Sequence, residues 1–296
     1  MAKRALLVGI NHYPDPENAL RGCLNDVRQV GDLLHQRFGF EGNGPVRLLT
    51  DARATTAAIV SGLHWLVDDA APGDVLVFHY SGHGSQVPDR HGDEADGLDE
   101  IICPYDLDWD SPFTDDDLHA IVQGLPASVN LTVILDSCHS GTGLRELPAK
   151  GGAPRSRWLN PPERLHRLLR EDMAMRRFGA RAAECGAILI AGCRSDQSSA
   201  DADIDGEYHG ALTYFLCRAI EELAYAASYR AVVARTRRLL QTNGYEQVPQ
   251  LEGPAALLQG EILAPRFEAV EARAQGGQIE VHRSRRGTRV WLPASR

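Results

Sequence analysis

Two stretches decide the fold: Val75-Leu76-Val77-Phe78-His79-Tyr80-Ser81-Gly82-His83-Gly84 and Leu131-Thr132-Val133-Ile134-Leu135-Asp136-Ser137-Cys138-His139-Ser140-Gly141. Each is an apolar run that breaks off into small and polar residues. Unbroken apolar runs of strand length belong to parallel sheets covered by helices on both faces. Such sheets present their ligand-binding groups just past the carboxyl ends of the strands. The pattern therefore brings a histidine, His83, and a cysteine, Cys138, to one sheet edge as base and nucleophile.

The flanking sequence repeats this strand–helix alternation. Residues 5–10 read as a first strand, with Pro14 and Pro16 in the turn that follows. Asn18 reads as the N-cap of a helix carrying Leu20, Cys23, Leu24, Val27, Val30, Leu34 and Phe38 at helical spacing, with Gly39 as its stop. A strand at 46–49, a helix at 55–70, a helix at 114–123, a strand at 187–191, helices at 209–225 and 229–240 and a strand at 248–251 complete the series. The expected fold is α/β, with a mainly parallel central sheet and helices on both faces. Alternation in Ile279-Glu280-Val281 and Arg289-Val290-Trp291 around Arg286-Gly287 predicts a C-terminal hairpin.

Composition narrows the function. With 296 residues and 43% hydrophobic content the chain can bury a large core, and its net charge of −9 argues against nucleic-acid binding. No stretch approaches a membrane span, and the short apolar run after Met1-Ala2-Lys3-Arg4 reads as a strand rather than a signal. The six scattered cysteines suit reduced thiols, so a cytoplasmic protein is expected.

Cys138 differs from an ordinary core cysteine because Asp136, Ser137, His139 and Ser140 flank it, and no core would take these unpaired. His83 lies between two glycines, where the backbone can approach a ligand closely, and 55 residues before Cys138, a separation close to that of caspase-type nucleophiles. His139 would point away and is read as a bystander. The amides of Gly84 and Cys138 are the expected oxyanion donors. A zinc site is disfavoured: His79 and His83 stand four apart, but His79 falls on a strand and no Cys-x-x-Cys is present.

Four ordered segments, Tyr80–Gln86, Asp136–Gly141, Gly22-Cys23-Leu24-Asn25-Asp26 and Gly192-Cys193-Arg194-Ser195-Asp196-Gln197, together resemble the metacaspases, of the prokaryotic, orthocaspase-like kind. The resemblance covers residues 4–252. It implies a caspase-like α/β/α sandwich and a His83/Cys138 dyad in a cysteine endopeptidase that cuts after Arg or Lys. It also implies a pocket for that basic side chain formed by Cys23, Asp26, Ser81 and Asp136, where two confined carboxylates call for a cation. The implied organisation is a peptidase domain over 1–260, in a larger part (1–144), a basic linker (145–184) and a smaller part (185–260). Residues 261–296 form an extension.

Residues 89–117 hold twelve acidic residues against one basic residue, Arg90. Metacaspases are activated by calcium through clustered aspartates, and Asp115, Asp116 and Asp117, with Asp96 or Asp99, resemble that cluster; oxygen-rich, flexible geometry suits Ca²⁺. This chain departs from the pattern at Arg145, where relatives often carry an aspartate seven residues after the nucleophile. Calcium is thus expected as an activator, and no organic cofactor. The basic linker reads either as a solvated loop or as a self-cleavage segment, with Arg145, Lys150, Arg155 and Arg157 as candidate sites. Expected partners are peptides and proteins with Arg or Lys before the cut bond, and the chain is expected to act as a monomer. The alternative is a catalytically silent caspase-fold interaction module.

Overall fold

A computed structural model describes residues 1–41, 45–88, 98–138, 154–166, 183, 185–194 and 197–266, and the backbone of four short strands between 272 and 290. Strand β1 (Lys3–Gly9) sends Ala5 and Leu7 to one face of the sheet and Leu6 and Val8 to the other. The next turn departs from the sequence expectation. Pro16 opens a 3-10 turn over Pro16–Asn18 that Asp15 caps, so Asn18 closes a turn instead of capping a helix. Helix α1 (Cys23–Phe38) starts later, from Gly22, and stops where expected, at Gly39 in the left-handed region (φ 65°).

Strand β2 (Val46–Thr50) leads to α2 (Thr56–Val67), whose cap Thr55 accepts from the Ala58 amide. After β3 (Val75–Ser81) come two strands absent from the sequence expectation, β4 (Gly84–Pro88) and β5 (Leu98–Ile102), paired antiparallel. Helix α3 (Asp115–Val122) is closed by a capping box between Thr114 and Asp117. Strand β6 (Asn130–Asp136), the short β7 (Arg155–Ser156) and α4 (Glu163–His166) follow. Then come β8 (Ile188–Ala191) and the antiparallel pair β9 (Ala200–Ile204) and β10 (Glu207–Gly210), which sequence periodicity also missed. Helices α5 (Ala211–Glu222) and α6 (Tyr229–Thr242), strand β11 (Gln250–Glu252) and α7 (Ala255–Leu258) complete this part. Beyond it, β12 (Ala272–Ala274) pairs with β13 (Gly277–Ile279), and β14 (Val281–Ser284) forms a hairpin with β15 (Gly287–Val290), where the alternation placed one.

Among the described residues the main sheet has the order β11-β8-β6-β3-β1-β2, parallel except for the edge strand β11. One face packs on α1, α5 and α6 through Val27, Leu34, Phe215, Leu216, Val232 and Leu240. The other packs on α2 and α3 through Ile59, Leu63, Leu66 and Leu118. This is the α/β/α sandwich with a largely parallel sheet, and each such side chain contributes about 1.5–3 kcal/mol by leaving water. Register sets up the site: Gly9, Ser81 and Asp136 lie side by side at the carboxyl ends of β1, β3 and β6. Among the described residues no helix is long and apolar enough to cross a membrane.

Gly9 packs directly against the first turns of α1. A Cβ there would lie 2.7 Å from the carbonyl oxygen of Cys23 and 2.9 Å from Val27. We expect Gly9→Ala to cost roughly 1–3 kcal/mol by overpacking, measured as a lower denaturation midpoint at unchanged slope.

Candidate active site

The site is built around a charged group that the sequence places in a solvated linker. The side chain of Arg157 is fully buried at the sheet edge. Its Nη2 lies 2.9 Å from Asp26 Oδ2 and 3.1 Å from Asp201 Oδ1, and its Nη1 lies 3.3 Å from Asp136 Oδ1. Nη1 also donates to Ser81 Oγ (2.8 Å) and to the Asp136 carbonyl (2.9 Å), while Ser81 Oγ donates to Asp26 (2.7 Å). The sequence gives no sign of this burial: Arg155 in the same stretch is exposed, and Arg157 is not. A guanidinium enters a protein interior only when carboxylates and acceptors replace its water.

The walls of this pocket come from four elements. Asp26 lies in the first turn of α1, with Cys23 buried beside it; Ser81 and Asp136 end β3 and β6; Asp201 comes from β9. Asp201 is the member that sequence reasoning missed. It also accepts the amides of Arg21 and Gly22, fixing the turn that starts α1. Asp136 is further held by Ser199 Oγ (2.6 Å) and by the amide and hydroxyl of Thr213 (both 2.8 Å). Gly210 closes the pocket, its amide donating to Asp26; a Cβ there would sit 2.2 Å from Asp136 Oδ2 and 2.5 Å from Arg157 Nη1.

Electrostatics follow from burial and from the shared cation. Burial pushes the Asp26 carboxyl up, but Arg157 and the bonds from His209 and Ser81 outweigh it, so its pKa falls below the ordinary value. Burial wins at Asp136, helped by Asp26 and opposed by Arg157, and its pKa is raised. Burial also opposes the Arg157 charge, yet the carboxylates of Asp136, Asp26 and Asp201 more than offset it and raise its pKa. Burial holds the Cys23 thiol well above its ordinary range, so it lines the pocket as a neutral group.

The backbone of the same segment runs across the two motifs. Arg155 and Ser156 pair antiparallel with Asp201 and Ala200 of β9, and the Arg157 amide donates to the Ser199 carbonyl (3.2 Å). The Arg157 carbonyl accepts from the amides of Gly84 (2.9 Å) and Cys138 (3.3 Å). These are the two amides named as oxyanion donors, and here they converge on one carbonyl oxygen.

Cys138 and His83 flank that carbonyl. Cys138 Sγ accepts the Ser199 amide at 2.7 Å and lies 3.4 Å from the Ser199 carbonyl. Burial would raise the thiol, but contacts with Cys193, the Ser199 amide and Ser156 prevail, and its pKa is lowered. His83 Nε2 lies 2.8 Å from the carbonyl of Asn18, so the ring proton sits on Nε2 and Nδ1 is left as a bare acceptor. That Nδ1 is buried without a well-formed hydrogen bond among the described residues. Tyr13 Oη accepts the His83 amide (2.8 Å), and Tyr80 Oη donates to the His83 carbonyl (2.7 Å), which fixes the motif's backbone. Burial pushes the His83 pKa down to about 4 against weaker raising effects of the Asn18 and Arg157 backbones. Asn18, expected as a helix cap, instead orients the imidazole through its main chain. No side-chain pattern encodes such a role.

Asp96, Arg145, Lys150 and the bystander His139 lie outside the described residues. Arg155 is exposed and donates to the Ala19 carbonyl (2.6 Å). Asp117 is engaged in the α3 cap, accepting from the Thr114 amide and hydroxyl. Asp99 and Asp115 are buried, on β5 and α3, and Asp116 follows on α3. Among the described residues no group of three or more His, Cys, Asp or Glu could hold a metal ion. No chemical step is routed through a calcium site. His79 is a core residue on Thr213 Oγ1 (3.2 Å).

A three-layer sandwich that brings a cysteine and a histidine to adjoining strand ends is the architecture of the caspase-fold cysteine peptidases. Comparison with known proteins narrows the class. Residues 3–148 match the family described as Metacaspase, peptidase C14 domain. The chain is 36% identical over 285 residues to Metacaspase-1 of Meyerozyma guilliermondii, spanning 84% of this chain and 68% of that protein. Identity to Metacaspase-1 of Scheffersomyces stipitis is 35% over 285 residues, or 84% and 70% of the two chains. The crystal structure of protein GSU0716 from Geobacter sulfurreducens superposes with a TM-score of 0.64 at 26% identity, covering 90% of this chain and 100% of that one. The chain belongs to the metacaspase family.

Two buried histidines give the site a pH signature. His79 and His83 are both pushed down by burial from 6.5 to about 4. Between those values the unfolded chain binds protons that the folded chain refuses, so stability falls as pH drops through the window. Each group contributes at most about 1.4 kcal/mol per pH unit. Denaturant unfolding of Cys138→Ala between pH 7 and 4 should show this slope, and adding His79→Gln should make it shallower.

Proposed function

We propose that the chain is a cysteine endopeptidase that cuts after Arg or Lys with Cys138 as nucleophile and His83 as general acid and base, and that its own Arg157–Trp158 bond is a substrate. The observation that carries the reading is the placement of one residue. Arg157 has its guanidinium among three carboxylates while its carbonyl oxygen lies on the two amides beside His83 and Cys138. A peptide bond held at both ends in this way is positioned for attack.

The chemistry follows from these groups. The Cys138 sulfur adds to the carbonyl carbon as its proton passes to His83 Nδ1. The oxyanion gains charge where the Gly84 and Cys138 amides already point. The imidazolium, steadied by the Asn18 carbonyl through Nε2–H, gives its proton to the leaving amine, and the C–N bond breaks to leave a thioester. Water then loses a proton to His83 and attacks the thioester, and the thiol leaves with that proton. Asp26, Asp136 and Asp201 read the basic side chain, with Ser81 bridging guanidinium and carboxylate. Calcium, if it activates the enzyme, acts outside these steps. Asp99, Asp115 and Asp116 are its candidate ligands, together with Asp96. The prokaryotic, orthocaspase-like placement belongs to this reading too.

The test is a product map by mass spectrometry of the purified chain and of Cys138→Ala, with and without calcium. Wild type should yield a fragment beginning at Trp158, and Cys138→Ala should stay intact. Asp26→Asn should lower kcat/KM on an Arg peptide by about 10- to 100-fold, the range for a hydrogen bond to a charged group. Turnover that survives Cys138→Ala, or cleavage after Asp or Asn in preference to Arg or Lys, would overturn the proposal.

A further inference from the structure

Past Arg157 the chain does not turn away from the sheet edge. Trp158 bridges Gly84 in parallel, the Leu159 amide donates to the Gly84 carbonyl (3.0 Å), and Ser85 Oγ donates to the Leu159 carbonyl (2.7 Å). Among the described residues strand β4 is paired as a strand with β5 alone, so its other edge offers backbone groups, and Trp158 and Leu159 take them. Gly84 therefore serves both sides of the Arg157–Trp158 bond. Its amide holds the carbonyl before the bond, and its carbonyl holds the amide of the second residue after it.

We propose that the free edge of β4 is a binding track for the two substrate residues that follow the cut bond, and that Ser85 is a substrate-binding residue that holds the main-chain carbonyl of the second. This rests on the reading above, that residues 155–159 lie in the groove as a substrate does. The track takes an extended peptide and reads its positions unequally. The Trp158 indole is half-buried and among the described residues its Nε1 bonds only to Asn160, two residues on (2.9 Å), so the first position after the cut is held mainly by its main chain. Leu159 packs against the apolar cluster of the α2–α3 face, so the second position favours an aliphatic side chain. Ser85 is fully buried beneath it, where a hydroxyl needs a partner. Peptides that end at the basic residue in a small leaving group forgo all of these contacts.

The experiment compares two substrates with the same Arg-Ser-Arg sequence before the cut. One ends there in a fluorogenic amide; the other continues as Trp-Leu in an internally quenched peptide. Wild type should show the higher kcat/KM on the longer peptide. Ser85→Ala should lower kcat/KM on it by about 3- to 10-fold more than on the short amide, as expected for one neutral hydrogen bond. Ser85→Thr, which keeps the hydroxyl, should recover most of that difference. N-methylation of the leucine, which removes the donor to Gly84, should act on wild type like Ser85→Ala. Equal losses on both substrates, or a Ser85→Thr variant that behaves like Ser85→Ala, would overturn the track while leaving the peptidase reading intact. Wild type that cleaves neither substrate would instead overturn the reading beneath it.

Discussion

The structure depends on one ion cluster: a single buried guanidinium shared by three buried carboxylates. Asp26, Asp136 and Asp201 come from α1, β6 and β9, and Arg157 ties these elements together across the sheet edge. Removing one partner from such a buried cluster leaves an uncompensated charge and costs about 3–5 kcal/mol. The same cluster explains why this edge is built from small residues. Gly22, Gly210 and Ser81 let the backbones of α1, β10 and β3 approach the charges closely enough for amides and a hydroxyl to solvate them.

Parts of this arrangement were legible from residue order. Strands β3 and β6 stood out because both faces of each are buried, and a run such as Val75–Phe78 has no other use. Their parallel register then brings Ser81 beside Asp136, as two motifs at neighbouring strand ends require. Strands β4 and β9 did not stand out. Gly84–Pro88 and Ala200–Ile204 are short, small and polar, and their pairing comes from tertiary contact rather than from pattern. Asp201 was hidden with β9 for that reason. Arg157 was hidden for another: an arginine in a basic, proline-rich stretch is nearly always solvated, and only the three converging carboxylates make burial tolerable.

The division of labour at the edge is also physical. Side chains surround the guanidinium charge, whereas main chain holds the Arg157 carbonyl through the amides of Gly84 and Cys138 and orients the imidazole through the carbonyl of Asn18. Main-chain groups keep their positions whatever side chain they carry, and the aromatic pair Tyr13 and Tyr80 pins the backbone on which the histidine rides. A buried imidazole with its proton on one nitrogen and a bare lone pair on the other is poised to accept rather than to give.

The tether of Arg157 to the rest of the chain has a kinetic consequence. A segment joined to its own groove by a short connection is present there at an effective concentration of order millimolar, whatever the dilution of the protein. On the proposed reading, peptides from outside compete with a resident that cannot diffuse away, so their apparent affinity scales with the fraction of time the groove is free. Dilution, which separates ordinary inhibitors from their targets, leaves this competition unchanged.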